Sequence, residues 1–187
     1  MNCYDFDLTI FYPDSSCCFV MYCLRHYPRA VLHALPAACL AGLGHLLGKT
    51  STQQMKEKVF SFLPRLDDVE RIVEEFWDRH RDRLADWYLA QKRDDDLIAS
   101  ASPEFLLRPI AKELGVSLLA TPMDPCTGKI LGWNCHDTEK VRRFREAYPD
   151  AQVEDFYSDS LSDAPMAHLA ERAFLVRNGN RMPWPRA

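Results

Sequence analysis

Residues 5–9 of this chain read Asp-Phe-Asp-Leu-Thr, which places two carboxylates two positions apart and a hydroxyl two residues further on. Residues 1–4 suit a very short β-strand, and side chains at positions i and i+2 of a strand face the same side. Where that strand ends, Asp5 and Asp7 can both point into the crevice in which open α/β sheets bind ligands. Two anions this close favour a bound divalent cation, because like charges at short range repel each other. A solvated or capping turn is the alternative interpretation of the same residues.

A second segment, residues 97–103, reads Leu-Ile-Ala-Ser-Ala-Ser-Pro and predicts a short buried strand that ends in a hydroxyl. A helix is expected to follow, with Ser102 as its N-cap and Pro103 as its first residue. The amino end of a helix beside a strand end is a ready site for an anion. A well-capped helix without any ligand is the alternative.

Two further segments supply a cation and another pair of acids. Lys140 lies near the start of a predicted helix, although a single lysine is by default a surface residue. Residues 153–157 resemble a strand, and Asp159 and Asp163 follow it four positions apart. The sequence therefore repeats one arrangement, in which polar residues come directly after a predicted strand.

In this order, Asp-x-Asp-x-Thr, Ser, Lys and Asp-Ser-x-x-Asp resemble the four signature motifs of the haloacid dehalogenase (HAD) superfamily of phosphotransferases. The resemblance covers residues 1–12 and 92–178. It is greatest for the phosphoserine-phosphatase-like subfamily IB, whose cap is inserted just after the first motif. It implies an α/β fold with a HAD-like Rossmannoid three-layer core, a parallel sheet and an inserted all-helical cap. Leu8 departs from the pattern, since many members carry glycine there.

The resemblance also implies a role for each motif residue in the cleavage of a phosphomonoester. Asp5 is expected to attack phosphorus and form an aspartyl-phosphate, and Asp7 to act as general acid and then as general base. Ser100 and backbone amides near Ala101 are expected to bind the transferring phosphoryl group. Lys140 is expected to offset the negative charge that Asp5 shares with the phosphate.

Magnesium is the cofactor that this resemblance implies. Its expected ligands are Asp5, the backbone carbonyl of Asp7, and Asp159, with places left for water and a phosphate oxygen. Asp163 is expected to orient a metal-bound water without touching the ion. Thr9 is expected to shape the first turn by side-chain to backbone hydrogen bonding.

Composition and charge argue against several other classes of protein. The chain has 187 residues, of which 47% are hydrophobic and 27% charged, so we expect a globular protein. Its net charge of −4 gives no support for nucleic acid as a partner. Seven cysteines without a Cys-x-x-Cys pair predict neither a disulfide framework nor a zinc site. Free, mostly buried thiols, and a catalytic motif where a signal peptide would stand, favour a cytoplasmic protein.

The pattern along the chain predicts two domains. Residues 1–11 and 92–187 form the expected catalytic core, and residues 12–91 form the expected helical cap. The later core strands are predicted at residues 96–100, 117–121, 153–158 and 173–177, and the core helices at residues 103–114, 138–147 and 163–170. The tail from Asn178 is predicted to be irregular. Apolar spacing predicts cap helices at residues 19–26, 29–47, 52–63 and 69–89.

One segment of the cap is unusual, because no acidic residue occurs between Ser15 and Lys56 and residues 30–47 are almost wholly apolar. Arginine and lysine flank that run, which fits a helix lying in a membrane interface. A cap helix packed on its neighbours, or a dimer contact, fits the pattern equally well. The layout also resembles bacterial phosphatidylglycerophosphate phosphatases of the same superfamily. That resemblance rests on residues 25–28, Cys135 to Lys140 and Tyr157 to Pro165.

The sequence therefore predicts a magnesium-dependent phosphomonoester hydrolase. A phosphorylated lipid is the expected substrate, with peripheral contact of the cap at the inner face of a membrane, and a soluble metabolite such as phosphoserine is the alternative. A non-catalytic binding protein on the same core is a second possibility. Dehalogenation or phosphoryl transfer between metabolites is a third. Asp7 argues against dehalogenation, because cleavage of a carbon–halogen bond needs no acid to protonate an alkoxide.

Overall fold

The apolar strand segments of the chain pair into one six-stranded sheet in this computed structural model, which describes residues 1–185. The strands are β1 (Cys3–Tyr4), β2 (Leu97–Pro103), β3 (Ser117–Thr121), β4 (Asp155–Ser158), β5 (Arg172–Arg177) and β6 (Asn180–Pro183). Their order across the sheet is β3-β2-β1-β4-β5-β6, and all neighbouring pairs are parallel except β5 and β6. This arrangement confirms the predicted α/β fold.

Five helices lie between β1 and β2 in the sequence, and three lie after β2. The first group is α1 (Ser15–His26), α2 (Pro28–Leu46), α3 (Thr52–Val59), α4 (Val69–Asp78) and α5 (Asp86–Gln91). The second group is α6 (Glu104–Leu114), α7 (Thr138–Ala147) and α8 (Ala164–Ala167). Local sequence explains several of the starts: the Asp14 carboxylate accepts a hydrogen bond from the Cys17 amide at 2.7 Å, and Ser51 and Gln54 form a capping box before α3.

Each face of the sheet is covered by its own apolar cluster. On one face, Phe144 of α7 and Met166 of α8 pack near Phe156 of β4. The other cluster joins α4 and α6 to the sheet, and the Trp77 indole of α4 donates a hydrogen bond to the Leu106 carbonyl at 2.6 Å. Part of the segment between β1 and β2 therefore contributes to the packing of the sheet as well as to its carboxyl edge.

The strand β2 continues further than predicted, and Ser102 does not cap α6. Residues Leu97–Pro103 are all in the strand, and the N-cap of α6 is Pro103, which offers no side-chain hydrogen bond. The Ser102 hydroxyl donates instead to the Asp7 carboxylate, and the Ser102 amide donates to the Ser100 hydroxyl at 3.1 Å. The predicted cap was wrong because this side chain faces the cleft.

The predicted single helix over residues 69–89 is two helices, α4 and α5, with a 3₁₀ turn at Arg81–Arg83 between them. The break has a tertiary cause. The Ala85 amide donates to the Ile10 carbonyl at 2.8 Å, and Leu84 forms an antiparallel bridge with Phe11. These contacts hold the backbone of Leu84 and Ala85 extended beside the turn that follows β1. The helical periodicity of the sequence does not predict this interruption.

Other boundaries also differ from the predictions. The helix predicted to reach residue 63 ends at Val59 and is followed by a 3₁₀ turn at Leu63–Arg65. The helix predicted at residues 163–170 is only α8, with a 3₁₀ turn at Leu161–Asp163 before it. The tail that was predicted to be irregular forms β6, because its backbone pairs with the edge of β5. All seven cysteines are free, but only Cys3, Cys23 and Cys135 are buried, which corrects the expectation of mostly buried thiols.

Candidate active site

A buried lysine joins residues from three parts of the sequence at the carboxyl edge of the sheet. Lys140 lies in the first turn of α7 and is 1% exposed. Its ammonium donates to Asp5 Oδ1 at 2.7 Å and to Asp163 Oδ2 at 2.8 Å. The Ser158 hydroxyl, at the end of β4, donates to the same oxygen of Asp163 at 2.7 Å. The fold therefore brings the first, third and fourth predicted motifs into direct contact.

The electrostatics of this group follow from burial and pairing. Burial opposes the charge on Lys140, but Asp5 and Asp163 outweigh it and raise the pKa of the lysine. Lys140 therefore stays protonated. Burial also raises the pKa of Asp5, and the ammonium of Lys140 counteracts that rise. The pair holds one carboxylate oxygen of Asp5 in a fixed position.

The side chain of Asp7 is fixed by two groups that the sequence analysis did not connect with it. The Ser15 amide, at the start of α1, donates to Asp7 Oδ1 at 2.6 Å, and the Ser102 hydroxyl donates to Asp7 Oδ2. Burial and the nearby Asp14 carboxylate raise the pKa of Asp7 to about 6. This carboxyl group can therefore change its protonation state near neutral pH.

Thr9 connects the first turn to the loop after β4. Its hydroxyl accepts a hydrogen bond from the Asp159 amide at 2.9 Å, and Thr9 is fully buried. The predicted side-chain to backbone hydrogen bond thus reaches a different loop and not its own turn. Burial and the Asp163 carboxylate raise the pKa of Asp159. Leu8 in the same turn has a φ of 57°, a left-handed conformation that explains why glycine is common at this position.

The oxygen atoms at this edge fit a hard divalent cation. Asp163 Oδ1 is buried without a hydrogen-bond partner in the described residues. The Asp159 carboxylate accepts no hydrogen bond from another residue between 1 and 185, and Lys140 occupies only one oxygen of Asp5. Residues 1–185 contain no group of three His, Cys, Asp or Glu side chains placed to hold a metal. The predicted ligand set has only two carboxylates and one backbone carbonyl, so such a group is not required.

Five of the predicted site residues line one cleft of about 480 Å³, whereas Thr9, Lys140 and Asp163 lie outside its lining. Asp5, Asp7, Ser100, Ala101 and Asp159 all contribute to its walls. The opposite walls come from the helices after β1, through Ser16, Cys17, Val20 and Met21 of α1 and Met55, Lys56 and Val59 of α3. The carboxyl edge of the sheet and the inserted helices therefore share a single cavity.

Lys56 is a residue of this cleft that sequence reasoning did not identify. Its ammonium donates to the Ala101 carbonyl and to Asn134 Oδ1, both at 2.8 Å, and burial lowers its pKa. The neighbouring Glu57 fixes α3 from its other side by accepting hydrogen bonds from Lys129 and the Ile130 amide. The only signal of Lys56 in the sequence was its position at the end of the acid-free segment. Asn134, in the loop before α7, is the side-chain partner of Lys56.

The sheet, with its helices inserted after β1, carries the buried Asp5–Lys140–Asp163 group at its carboxyl edge. This combination defines a hydrolase of the HAD type. Residues 3–168 match the family model of the haloacid dehalogenase-like hydrolases, and the chain belongs to this family. The predicted superfamily and the predicted hydrolase class are thereby confirmed.

Individual proteins are also similar to this chain. It is 30% identical to protein CicA of Caulobacter vibrioides over an alignment of 192 positions, which covers 94% of this chain and 86% of CicA. A Bordetella pertussis protein of unknown function superposes with a TM-score of 0.74 at 23% identity, covering 92% of this chain and 87% of that one. A phosphoserine phosphohydrolase-like protein of Francisella tularensis has a TM-score of 0.54 at 15% identity, with coverages of 92% and 86%. These two structures share the fold.

Proposed function

We propose that this protein is a magnesium-dependent phosphatase that hydrolyses a phosphomonoester through an aspartyl-phosphate on Asp5. The observation that carries the proposal is the contact between Asp5 and the buried Lys140. This contact holds one oxygen of a carboxylate while the other is left for attack at a cleft. The phosphoserine phosphohydrolase-like name of the Francisella tularensis protein supports the same class of reaction.

In the proposed reaction, Asp5 attacks phosphorus as the bond to the leaving oxygen breaks. Asp7 donates its proton to that leaving alkoxide. Ser100, backbone amides near Ala101 and Lys140 bind the phosphoryl oxygens, on which negative charge develops. The carboxylate of Asp7 then takes a proton from water, which attacks the phosphorus of the aspartyl-phosphate and releases inorganic phosphate and free Asp5.

The unpartnered oxygens at the carboxyl edge fit magnesium, with Asp5, the carbonyl of Asp7 and Asp159 as the proposed ligands and Asp163 behind them. When bound, magnesium supplies positive charge for the phosphoryl oxygens. Thr9 fixes the Asp159 backbone through its hydrogen bond and so sets the position from which this carboxylate would bind.

Hydrolysis of a generic aryl phosphate with and without magnesium tests the proposed reaction. We expect turnover only with the cation, and we expect Asp159→Ala to need a magnesium concentration at least about tenfold higher for half-maximal rate. Asp155→Ala, which removes a surface partner of Arg172, is the matched control and should leave that concentration unchanged. Equal magnesium dependence in Asp159→Ala and wild type would remove Asp159 from the ligand set.

Replacing Asp7 by asparagine should slow the reaction most for substrates with poor leaving groups, because they need the proton most. Across a series of phosphomonoesters, the ratio of wild-type to variant kcat/KM should rise with the pKa of the leaving alcohol. We expect it to reach about 10²–10⁴-fold for an alkyl ester. A uniform loss across the series would show that Asp7 is not the acid.

The substrate proposals remain those of the sequence: a phosphorylated lipid, or a soluble metabolite such as phosphoserine. Contact of the cap with an anionic membrane is proposed with the first of these. Within residues 1–185, no helix has both the length and the hydropathy that a membrane crossing requires. However, Leu32, Leu40, Leu43 and Leu46 of α2, together with Leu47 at its C-cap, are 54% to 84% exposed. Spacings of three and four residues place most of these leucines on one side of the helix.

A second surface, lined by residues of α1 and by residues that follow α4, is basic. Arg25, Arg79 and Arg83 line a groove of about 800 Å³ that has no acidic residue in its walls, and this groove meets the active-site cleft at Cys17 and Met21. Exposed leucines and arginines of this kind are complementary to the interface of an anionic bilayer.

We expect the protein to co-sediment with vesicles that contain phosphatidylglycerol and not with vesicles of phosphatidylcholine alone. Arg25→Gln/Arg29→Gln should weaken this binding about 30-fold, since each arginine near such a surface contributes about 1 kcal/mol. Lys112→Gln/Arg145→Gln changes the net charge equally on exposed positions of α6 and α7 and is the control. Equal binding of both double variants would contradict a specific contact through the cap.

A further inference from the structure

A second cavity, which has no catalytic residue, adjoins the active-site cleft. This apolar groove, of about 260 Å³, runs between α1, α2 and α3. Its walls come from Val20 of α1 and Val59 of α3, and from one side of α2 that includes Ala34, Leu35 and Ala38. No side chain that lines it in the described residues carries an oxygen or nitrogen atom. Apart from the weakly hydrogen-bonding thiol of Cys39, water and polar ligands therefore find no hydrogen-bond partner among these side chains.

The groove and the cleft lie next to each other and share two lining residues. Val20 and Val59 line both cavities, and Met21, Met55 and Phe60 make the adjoining part of the cleft apolar as well. The charged groups of the cleft lie at the other end, around Asp5. A ligand that spans both cavities thus has an anionic end and an apolar end.

Small side chains create the space. Ala34 and Ala38 stand one turn apart on α2, so they lie on the same side of the helix and leave room that larger residues would fill. The groove follows α2 from Val31 to Cys39, a length of about 12 Å at 1.5 Å per residue. This length suits a linear hydrocarbon chain.

We infer that the groove binds the hydrocarbon chain of an amphiphilic phosphomonoester, whose phosphate lies at Asp5 and Lys140. This inference rests on the proposed phosphatase activity and names the chemical class of its substrate. A small ester such as phosphoserine would occupy only the cleft and leave the apolar groove unused. An alkyl or acyl chain instead transfers apolar surface from water to apolar side chains.

The test is a series of monoalkyl phosphates with four to ten carbons, each measured below its micelle concentration. We expect kcat/KM to rise at least about 100-fold from butyl to decyl phosphate, since a fully buried methylene contributes about fourfold. Ala38→Phe, which fills the groove, should remove most of this rise and leave butyl phosphate turnover within about twofold. Ala38→Leu is a milder version in case the larger side chain disturbs folding.

Ala37→Phe is the matched control, because Ala37 is the exposed neighbour on α2 and does not line the groove. It should retain the full dependence on chain length. Binding of non-hydrolysable alkylphosphonates, measured by calorimetry, gives a readout that does not depend on turnover. In wild type and Ala37→Phe, decylphosphonate should bind more tightly than butylphosphonate, with a more negative heat-capacity change of binding. In Ala38→Phe, the two phosphonates should bind with similar affinity.

Two negative results have different meanings. If butyl and aryl phosphates are hydrolysed but neither kcat/KM nor phosphonate binding depends on chain length, the groove inference is wrong and the phosphatase proposal stands. If no phosphomonoester is hydrolysed with magnesium, the phosphatase proposal itself fails. Equal effects of Ala37→Phe and Ala38→Phe would also overturn the inference, because they would show a general disturbance of α2.

Discussion

Asp5→Asn is expected to abolish phosphomonoester turnover, with a loss on the order of 10⁴-fold or more. The neutral amide cannot form an aspartyl-phosphate, and no other carboxylate contacts Lys140 from the wall of the cleft. Asparagine has nearly the same shape and its oxygen can still accept the Lys140 hydrogen bond, so we expect a folded variant. The measurement is steady-state kinetics on an aryl phosphate, together with acid-quench trapping of labelled phosphoenzyme in wild type and variant.

Asp96→Asn is the matched control for this change. Asp96 is also a fully buried carboxylate, but it directly precedes β2 and so lies at the amino edge of the sheet, where it accepts hydrogen bonds from the Arg93 and Asn2 amides. These amides donate to different oxygens of Asp96, so asparagine keeps one of the two bonds and the variant should lose some stability. Because the site lies far from the cleft, turnover of the folded variant should stay within about threefold of wild type. Trapped phosphoenzyme in Asp5→Asn, or activity within tenfold of wild type, would show that another residue is the nucleophile.

The convergence of the motif residues was predictable because a parallel sheet leaves little freedom once the strands are identified. Tyr4 pairs with Ile98 of β2 and with Tyr157 of β4. The residues that follow these three positions must therefore emerge side by side at one edge. Asp5 and the residues after Ser158 meet for this reason, although more than 150 positions separate them.

Lys56 and the apolar groove could not be predicted in the same way. Their positions depend on how α1, α2 and α3 pack against each other and against the loop that contains Asn134. No fixed spacing links Lys56 to Ala101, and both the side of α2 that carries Ala34 and Ala38 and its exposed side are largely apolar. Apolar composition in the sequence indicated a helix but not which of its sides would be left open.

The break between α4 and α5 shows the same limit at the level of secondary structure. Residues 69–89 keep helical spacing throughout, yet the backbone near Ala85 pairs with Ile10 from the catalytic turn. A tertiary hydrogen bond therefore replaces a helical one. Ser102 is a second case, since its hydroxyl could have capped α6 but is oriented by Asp7.

Lys140→Met is expected to remove activity and also to destabilise the fold more than any surface change. Lys140 is 1% exposed and bonds to two carboxylates, so methionine leaves the charges of Asp5 and Asp163 buried without a counter-ion. Breaking a buried ion pair in this way costs about 3–5 kcal/mol. Turnover should fall at least about 10³-fold, because the phosphoryl charge also loses its compensating cation. Lys129→Met, which removes an exposed pair with Glu57, should cost less than about 1 kcal/mol.

The pH dependence of unfolding separates this charge effect from a simple packing defect. Without the lysine, burial should raise the pKa of Asp5 in the folded chain still further above its unfolded value. Groups of this kind stabilise the fold below the unfolded pKa, and that stability is lost as pH rises through the folded pKa. In chelator-containing buffer, the difference in unfolding free energy between wild type and Lys140→Met should therefore be larger at pH 7.5 than at pH 5. Adding Asp163→Asn should recover part of the stability and none of the activity, whereas a pH-independent difference would assign the loss to packing alone.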